Sequence, residues 1–326
     1  MEYPTVRPRR LRRTAALRAL FSETTLDRGD LILPLFVHEQ NGSEPVTGMP
    51  GVKRHDLDGL AVEVEQAAQL GLGGVLLFGI PNSKDAIGSS SRDESGIVQR
   101  ALARARSEVG DQLVLIADTC LCAYTDHGHC GVLDSEGQVD NDASLEPLAL
   151  TALSQALAGA DMVAPSDMMD GRVAAIRQVL ESAGQPNTGI LSYAVKHASA
   201  FYGPFRSAAG SSPSEGDRRG YQMDPANSDE AVIEAQLDLS EGADALIVKP
   251  AMPSLDLIAR VRAETLAPVS GYAVSGEYAM IESAAEAGLL DRREAVLESL
   301  LAIKRAGAGS IITYHASEAA KWLRDQ

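Results

Sequence analysis

Eight short apolar runs rich in β-branched residues recur along the chain: "LILPLFV" (31–37), "GVLLFGI" (74–80), "LVLIAD" (113–118), "DMVAPS" (161–166), "GILSYAVK" (189–196), "DALIVKP" (244–250), "PVSGYAVSG" (268–276) and "SIITYHA" (310–316). Each is bounded by Gly, Pro, Asp or Ser. Within each, apolar character is nearly continuous rather than alternating, the pattern of strands covered on both faces. Between the runs the spacing turns helical. "DLDGLAVEVEQAAQLG" (56–71) stops at a Gly, and "SLEPLALTALSQALAGA" (144–160) opens on Ser144 as the expected cap and ends at Gly159. Residues 228–242 and 292–307 read the same way. Helix, then "GAD" or "GAG", then strand occurs at 159–161, 242–244 and 307–309. It puts Gly at the helix C-cap ahead of a short turn.

Eight strands alternating with helices predict an α/β fold, the (β/α)8 TIM barrel, over residues 31–326. The alternative for the same alternation is an open doubly wound sheet, but no Gly-rich phosphate fingerprint follows the first strand. Two segments exceed a minimal barrel. Residues 1–30 carry seven arginines. A disordered basic tail is the bland reading, yet the apolar spacing of "LRRTAALRALFSET" fits an arm packed on a neighbouring subunit. Residues 197–227 form a long insert after the fifth strand, rich in Gly, Ser, Pro and Arg. In a barrel it falls over the C-terminal mouth, where a lid is expected.

Composition narrows the function. Aromatics are 4% of residues, so the core must be built mostly of Leu, Val, Ile and Ala. A net charge of −16 argues against a nucleic-acid partner, although a local cationic site for an anionic substrate is compatible with it. No apolar run approaches the roughly 18–20 residues that span a bilayer, so no membrane partner is expected. No apolar h-region follows "RPRRLRR", so no secretory signal is read. An odd count of three cysteines fits a reducing cytoplasm.

Barrel register then gathers chemistry on one face. Asp118, Ser166, Lys196, Lys249, Ser275 and Tyr314 fall at strand C-termini, where barrel active sites lie. All three cysteines, Cys120, Cys122 and Cys130, follow the third strand in "DTCLCAYTDHGHC" (118–130). Three soft ligands leave an open position, as in catalytic zinc, and His127 or His129 would close the site as a structural one. Simple core burial of the thiols is the blander reading, but the loop around them is polar. Lys196 and Lys249 each end an apolar strand. Alone, either reads as a snorkelling side chain; together in one cavity they would depress each other's charge, as Schiff-base chemistry requires. Arg206 and Arg218 in the insert are either solvated loop arginines or two-pronged carboxylate binders.

These stretches, with "APSDMMDGR", "SYAVKHASAFYGPFR", "YQMDPANSDEA", "EGADALIVKPAMPSLD" and "VSGEYAM", resemble the porphobilinogen synthase (5-aminolevulinate dehydratase) family over almost the whole chain. The resemblance implies a barrel with an arm that wraps a neighbour in a homo-octamer. It implies condensation of two 5-aminolevulinate molecules into porphobilinogen with loss of two waters, in haem biosynthesis. By the same resemblance, Lys249 forms the P-site Schiff base and Lys196 the A-site one. Ser275 and Tyr314 match P-site carboxylate binders; Arg206, Arg218 and Gln222 match A-site ones; Asp118 and Ser166 match polar neighbours of the A-site substrate. Family members that lack the catalytic zinc carry aspartates in place of the cysteines; this chain retains all three and resembles the zinc-dependent type. Glu234 matches the ligand of an allosteric Mg2+. Ala251 and Ser254 stand where the family often has Gly and Tyr. Lysines alone would also fit a class I aldolase, and cysteines alone a structural-zinc scaffold, but a scaffold has no use for two amines in a dry cavity.

Overall fold

A computed structural model of the chain describes residues 4–214 and 216–325. Residues 1–3 of the expected arm, Glu215 in the expected lid and Gln326 lie outside the described residues.

Eight parallel strands form the central barrel: β1 (Leu31–His38), β2 (Gly74–Ile80), β3 (Val114–Thr119), β4 (Met162–Pro165), β5 (Gly189–Lys196), β6 (Ala245–Lys249), β7 (Val269–Ala273) and β8 (Ser310–Thr313). Each pairs with the next, and β8 returns to β1 through Leu31 opposite Ile311 and Ile32 opposite Ile312, which closes the sheet. The closure eliminates the doubly wound alternative. Eight helices form the outer layer: α1 (Leu57–Leu70), α2 (Ile97–Val109), α3 (Asn141–Leu157), α4 (Arg172–Ser182), α5 (Asp229–Ser240), α6 (Leu255–Thr265), α7 (Arg292–Arg305) and α8 (Ala316–Arg324). A further helix, Ser275–Glu286, lies between β7 and α7.

Continuous apolarity in the strands is explained by two buried layers. Leu33, Leu35, Val75, Leu77, Leu115, Val163, Ile190 and Leu246 pack outward against helix residues such as Leu60, Val64, Leu102 and Ile176. Ile32, Phe36, Leu76, Ile116, Leu191, Tyr193, Ile247, Tyr272 and Ile312 fill the interior. One strand breaks the alternation. In the β5–β6 ladder Leu246 faces Ser192 but Val248 faces Val195, so β5 carries one extra residue there. Tyr193 points inward, whereas Ala194 and Val195 both join the outer layer. A bulge of this kind re-aims the side chains that follow it. Here it returns Lys196 to the interior, opposite Lys249.

Just before the bulge, β5 is pinned from outside. The fully buried Arg172 of α4 donates to both carboxylate oxygens of Asp238 on α5 (2.7 and 2.9 Å) and to Ser192 Oγ (3.1 Å). Breaking such a pair from one side costs about 3–5 kcal/mol, because it strands a charge in the core.

Ser144 is not the cap of α3. Asp140 is, accepting from Ala143 N (3.0 Å). Ser144 lies in the first turn, where its Oγ donates to Asp140 O and accepts from Val132 N, tying the cysteine loop to the helix. The N-terminal segment has a short 3-10 turn (Pro8–Arg12) and a helix (Ala15–Leu20), neither with a buried residue.

Candidate active site

The insert 197–227 lies across the C-terminal mouth. It contains a 3-10 turn (Ala200–Tyr202) and a helix (Gly203–Ala209), whose Phe205 packs against Phe36 and Phe78 of the barrel interior. Two basic residues hold its C-terminal carbonyls. Arg54 donates to Ser207 O (2.7 Å) and Ala208 O (2.6 Å) while paired with Glu44, and Lys84 donates to Gly210 O (2.6 Å). Gly276 marks the closest approach at the other edge: a Cβ there would lie 2.7 Å from Phe201 Cα.

Under this cover the two lysines meet. Lys196 and Lys249 end adjacent strands as direct register partners, 4% and 5% exposed. Lys196 Nζ donates to Ser166 O. Lys249 Nζ has aromatic rings around it: centroids lie 4.6 Å (Tyr272), 4.9 Å (Tyr202), 5.1 Å (Phe205) and 5.3 Å (Tyr193) away. Burial, and then repulsion from Lys196, pull the Lys249 amine down to about 7. Asp118, half-buried near the end of β3, is pushed up to about 6 by burial, against the pull of both lysines, and its Oδ1 is sealed without a partner.

Beside them, the sulfurs of Cys120, Cys122 and Cys130 lie within 4.8 Å of one another, all buried. Asp118, Cys120, Cys122 and Phe205 line one small cavity, and the same Phe205 ring lies 5.1 Å from Lys249 Nζ. Hydrogen bonds from Cys120 and Cys122 hold the Cys130 thiol well below its ordinary value. The hydrogen bonds with Cys122 and Cys130 push the Cys120 thiol well up, and, against the bond with Cys120, that with Cys130 and burial push Cys122 up. Three thiols clustered in this way can hold a soft metal ion. Neither histidine joins them. His127 Nδ1 accepts from His129 N (3.1 Å) and its Nε2 contacts Ala86 O (3.1 Å), while His129 Nδ1 contacts Tyr221 OH (3.2 Å). Both brace the loop. Gly128 between them takes φ 74°, and a side chain there would strike the Ser212 carbonyl of the insert.

The remaining expected residues separate into three groups. Ser275 Oγ accepts from Phe205 N (3.0 Å), and Tyr314 OH meets Tyr272 OH (3.2 Å), both buried at the mouth. Arg218 and Gln222 share a turn of the insert, Gln222 N donating to Arg218 O (2.9 Å). Arg218 Nη2 holds Gly128 O (2.9 Å) and Ser211 O, yet its Nε, the Arg206 Nε and both side-chain ends of Gln222 are buried without a protein partner. Buried donors left open in this way fit a polar anion. Glu234 is set apart on α5. It lines a cavity of about 930 Å³ together with Asp170, Glu230 and Gln222. Burial raises its carboxyl to about 7, Arg172 opposing and Asp238, Asp170 and Glu230 reinforcing the rise.

Sequence reasoning missed the rings around Lys249. The available signal was scarcity: with only 8 Tyr and 5 Phe in the chain, four converging on one amine is a concentration. Arg54 was also missed, since a lone arginine in "GVKRHD" carries no local signal.

A family model described as Delta-aminolevulinic acid dehydratase matches residues 5–322. The delta-aminolevulinic acid dehydratase of Halalkalibacterium halodurans is 54% identical over 321 residues, covering 98% of this chain and 97% of its own. That of Streptomyces coelicolor is 52% identical over 326 residues, covering 99% and 98%. The crystal structure of delta-aminolevulinic acid dehydratase (porphobilinogen synthase) from Toxoplasma gondii, in complex with the reaction product porphobilinogen, superposes with a TM-score of 0.97 at 44% identity, over 99% of this chain and 93% of that one. With the barrel, the paired amines and the thiol cluster in place, these matches mean that the chain belongs to the delta-aminolevulinic acid dehydratase (porphobilinogen synthase) family of lyases.

Proposed function

We propose that this chain condenses two 5-aminolevulinate molecules into porphobilinogen, releasing two waters, through imines on Lys196 and Lys249. The observation that carries this reading is the register pairing of the two buried lysines at the barrel mouth. A neutral amine is the nucleophile for a ketone, and the dry setting of Lys249 supplies one near pH 7. Nζ attacks the ketone carbon, the carbonyl oxygen leaves as water, and a carbon–nitrogen double bond forms. Lys196 does the same one strand away. Tethering both substrates turns a bimolecular condensation into a nearly unimolecular one. The protonated imines accept electron density when a proton leaves the adjacent carbon. Ring closure then makes one carbon–carbon and one carbon–nitrogen bond between the two molecules and returns both amines free, so the net loss is two waters. Asp118, raised to about 6, is suited to exchange a proton beside Lys196.

Cys120, Cys122 and Cys130 would hold Zn2+, which supplies Lewis-acid polarisation of a substrate oxygen or amine. Arg206, Arg218 and Gln222 bind the A-site carboxylate through their open donors, and Ser275 and Tyr314 bind the P-site carboxylate. Residues 197–227 act as the lid that excludes water. Glu234 is the Mg2+ ligand: a divalent cation relieves the repulsion among four crowded carboxyls. Residues 1–30 are the arm that packs on a neighbour in a homo-octamer, a reading supported by the exposure of Leu11, Leu20 and Phe21. No helix among the described residues is long and apolar enough to cross a membrane. A cytoplasmic setting keeps the three thiols reduced.

Borohydride added with 5-aminolevulinate tests the core of this reading. Mass spectrometry should place a reduced adduct on Lys249, and Lys249→Met should lose turnover. An unmodified Lys249, or appreciable activity in Lys249→Met, refutes the assignment.

A further inference from the structure

Lys249 and Lys196 are adjacent, yet their surroundings differ in kind. Lys196 Nζ rests on a carbonyl with one ring at 5.7 Å. Lys249 Nζ has four rings within 5.3 Å. Keeping an amine neutral does not require this, since an aliphatic wall desolvates as well as an aromatic one. Aromatics are also only 4% of the chain. What a ring adds is a negative face that attracts a cation within about 6 Å. The amine starts neutral and the imine it forms is protonated, so positive charge develops on this nitrogen during the reaction. The faces stand where that charge appears.

Three of the rings belong to the strands or hydrogen-bond directly to their ends, Tyr202 doing so from within the insert. Tyr193 sits at the β5 bulge and Tyr272 in β7, while Tyr202 OH donates to His197 O (2.8 Å) and Lys249 O (3.2 Å). The fourth does not. Phe205 rides on the Gly203–Ala209 helix, seated by Ser275 Oγ on its backbone N–H and by Arg54 on the carbonyls that follow.

We propose that Tyr193, Tyr202, Phe205 and Tyr272 form an aromatic cage whose faces stabilise the protonated imine on Lys249, and that Phe205 completes the cage when the Gly203–Ala209 segment of the insert closes over the mouth. The cage rests on the imine reading above. It makes that segment more than a water barrier: closure itself supplies part of the stabilisation of the charged intermediate.

Fluorination separates the ring's charge distribution from its shape. Site-specific replacement of Phe205 in the full-length enzyme by mono-, di- and trifluorophenylalanine drains the face while keeping the side chain's bulk and apolarity. With 5-aminolevulinate, kcat should fall stepwise, by about 3- to 10-fold at the trifluoro member given the usual strength of a cation–π contact, with KM changed by less than about twofold. A role in packing alone would leave kcat flat. Because borohydride reduces the protonated imine, the pH at which half the Lys249 adduct is trapped should also move down along the series. A flat kcat and an unmoved trapping pH, with adduct still forming in every variant, overturn the cage and leave the imine standing. Absence of any adduct in the unsubstituted enzyme overturns the imine and the cage with it.

Discussion

The buried Lys249 amine should be a measurable burden on the folded state. Its pKa falls from an ordinary 10.5 to about 7, first through burial and then through the Lys196 charge. Between those values the unfolded chain carries a proton that the folded chain lacks, so wild-type stability rises with pH across that window. Below about 7 both states are protonated and the deficit is complete. At 1.36 kcal/mol per pH unit the difference amounts to roughly 3–5 kcal/mol at pH 6, about 2 kcal/mol at pH 9, and almost nothing above 10.5. Lys249→Met preserves length and apolar contact and removes the titration. For 326 residues, unfolding entropy is on the order of 0.7 kcal/mol per degree, so the variant should melt about 4–7 °C above wild type at pH 6 and about 3 °C above it at pH 9. Scanning calorimetry of the intact enzymes across that range is the assay. A melting difference that does not shrink as pH rises, or a variant less stable than wild type at pH 6, would refute the reasoning. The effect should be non-additive with Lys196→Met, because each amine is part of the other's field.

Arg54→Ala removes two partly exposed charge-assisted hydrogen bonds from the insert's helix; a loss of about 1–2 kcal/mol should lower kcat/KM for 5-aminolevulinate by about 5- to 30-fold, and an unchanged value in steady-state assays would mean that Arg54 does not hold the cover shut. Chelation should abolish activity and Zn2+ restore it, whereas Cys130→Ala should respond to neither; cobalt reconstitution should add sulfur-to-metal charge-transfer absorption in wild type alone, and the same band in Cys130→Ala would remove that thiol from the ligand set. Mg2+ should stimulate wild type but not Glu234→Ala, so equal stimulation of both would reject Glu234 as the ligand.

The architecture was largely legible because strand burial on both faces writes itself as unbroken apolar runs. Six of the eight strands were read to within a residue or two at each end by that rule, "PVSGYAVSG" and "SIITYHA" being overextended by three residues, since Ser275 and Ala316 already begin helices. The lysines were legible because an amine closing an apolar strand contradicts its setting. Ser144 misled because a hydroxyl near a helix start looks the same whether it caps its own helix or, as here, reaches back to hold Val132. The sequence left His127 and His129 open as closing ligands because loop bracing and metal ligation use the same residue type at the same spacing. The cage and Arg54 depend on contacts between segments far apart in the chain, such as Phe205 with Lys249 and Arg54 with Ala208, and no local pattern encodes them.

The extra residue in β5 has a consequence for how this chemistry tolerates change. Tyr193 and Lys196 are three positions apart, so a regular strand would send them to opposite sides of the sheet. Deleting either Ala194 or Val195 would restore a regular strand with the second amine still facing in, two positions after Tyr193, whereas deleting both would set it next to Tyr193 and swing it out among the helices. A circular dichroism spectrum would hardly register the double deletion, while the enzyme would be left with one tether for two substrates.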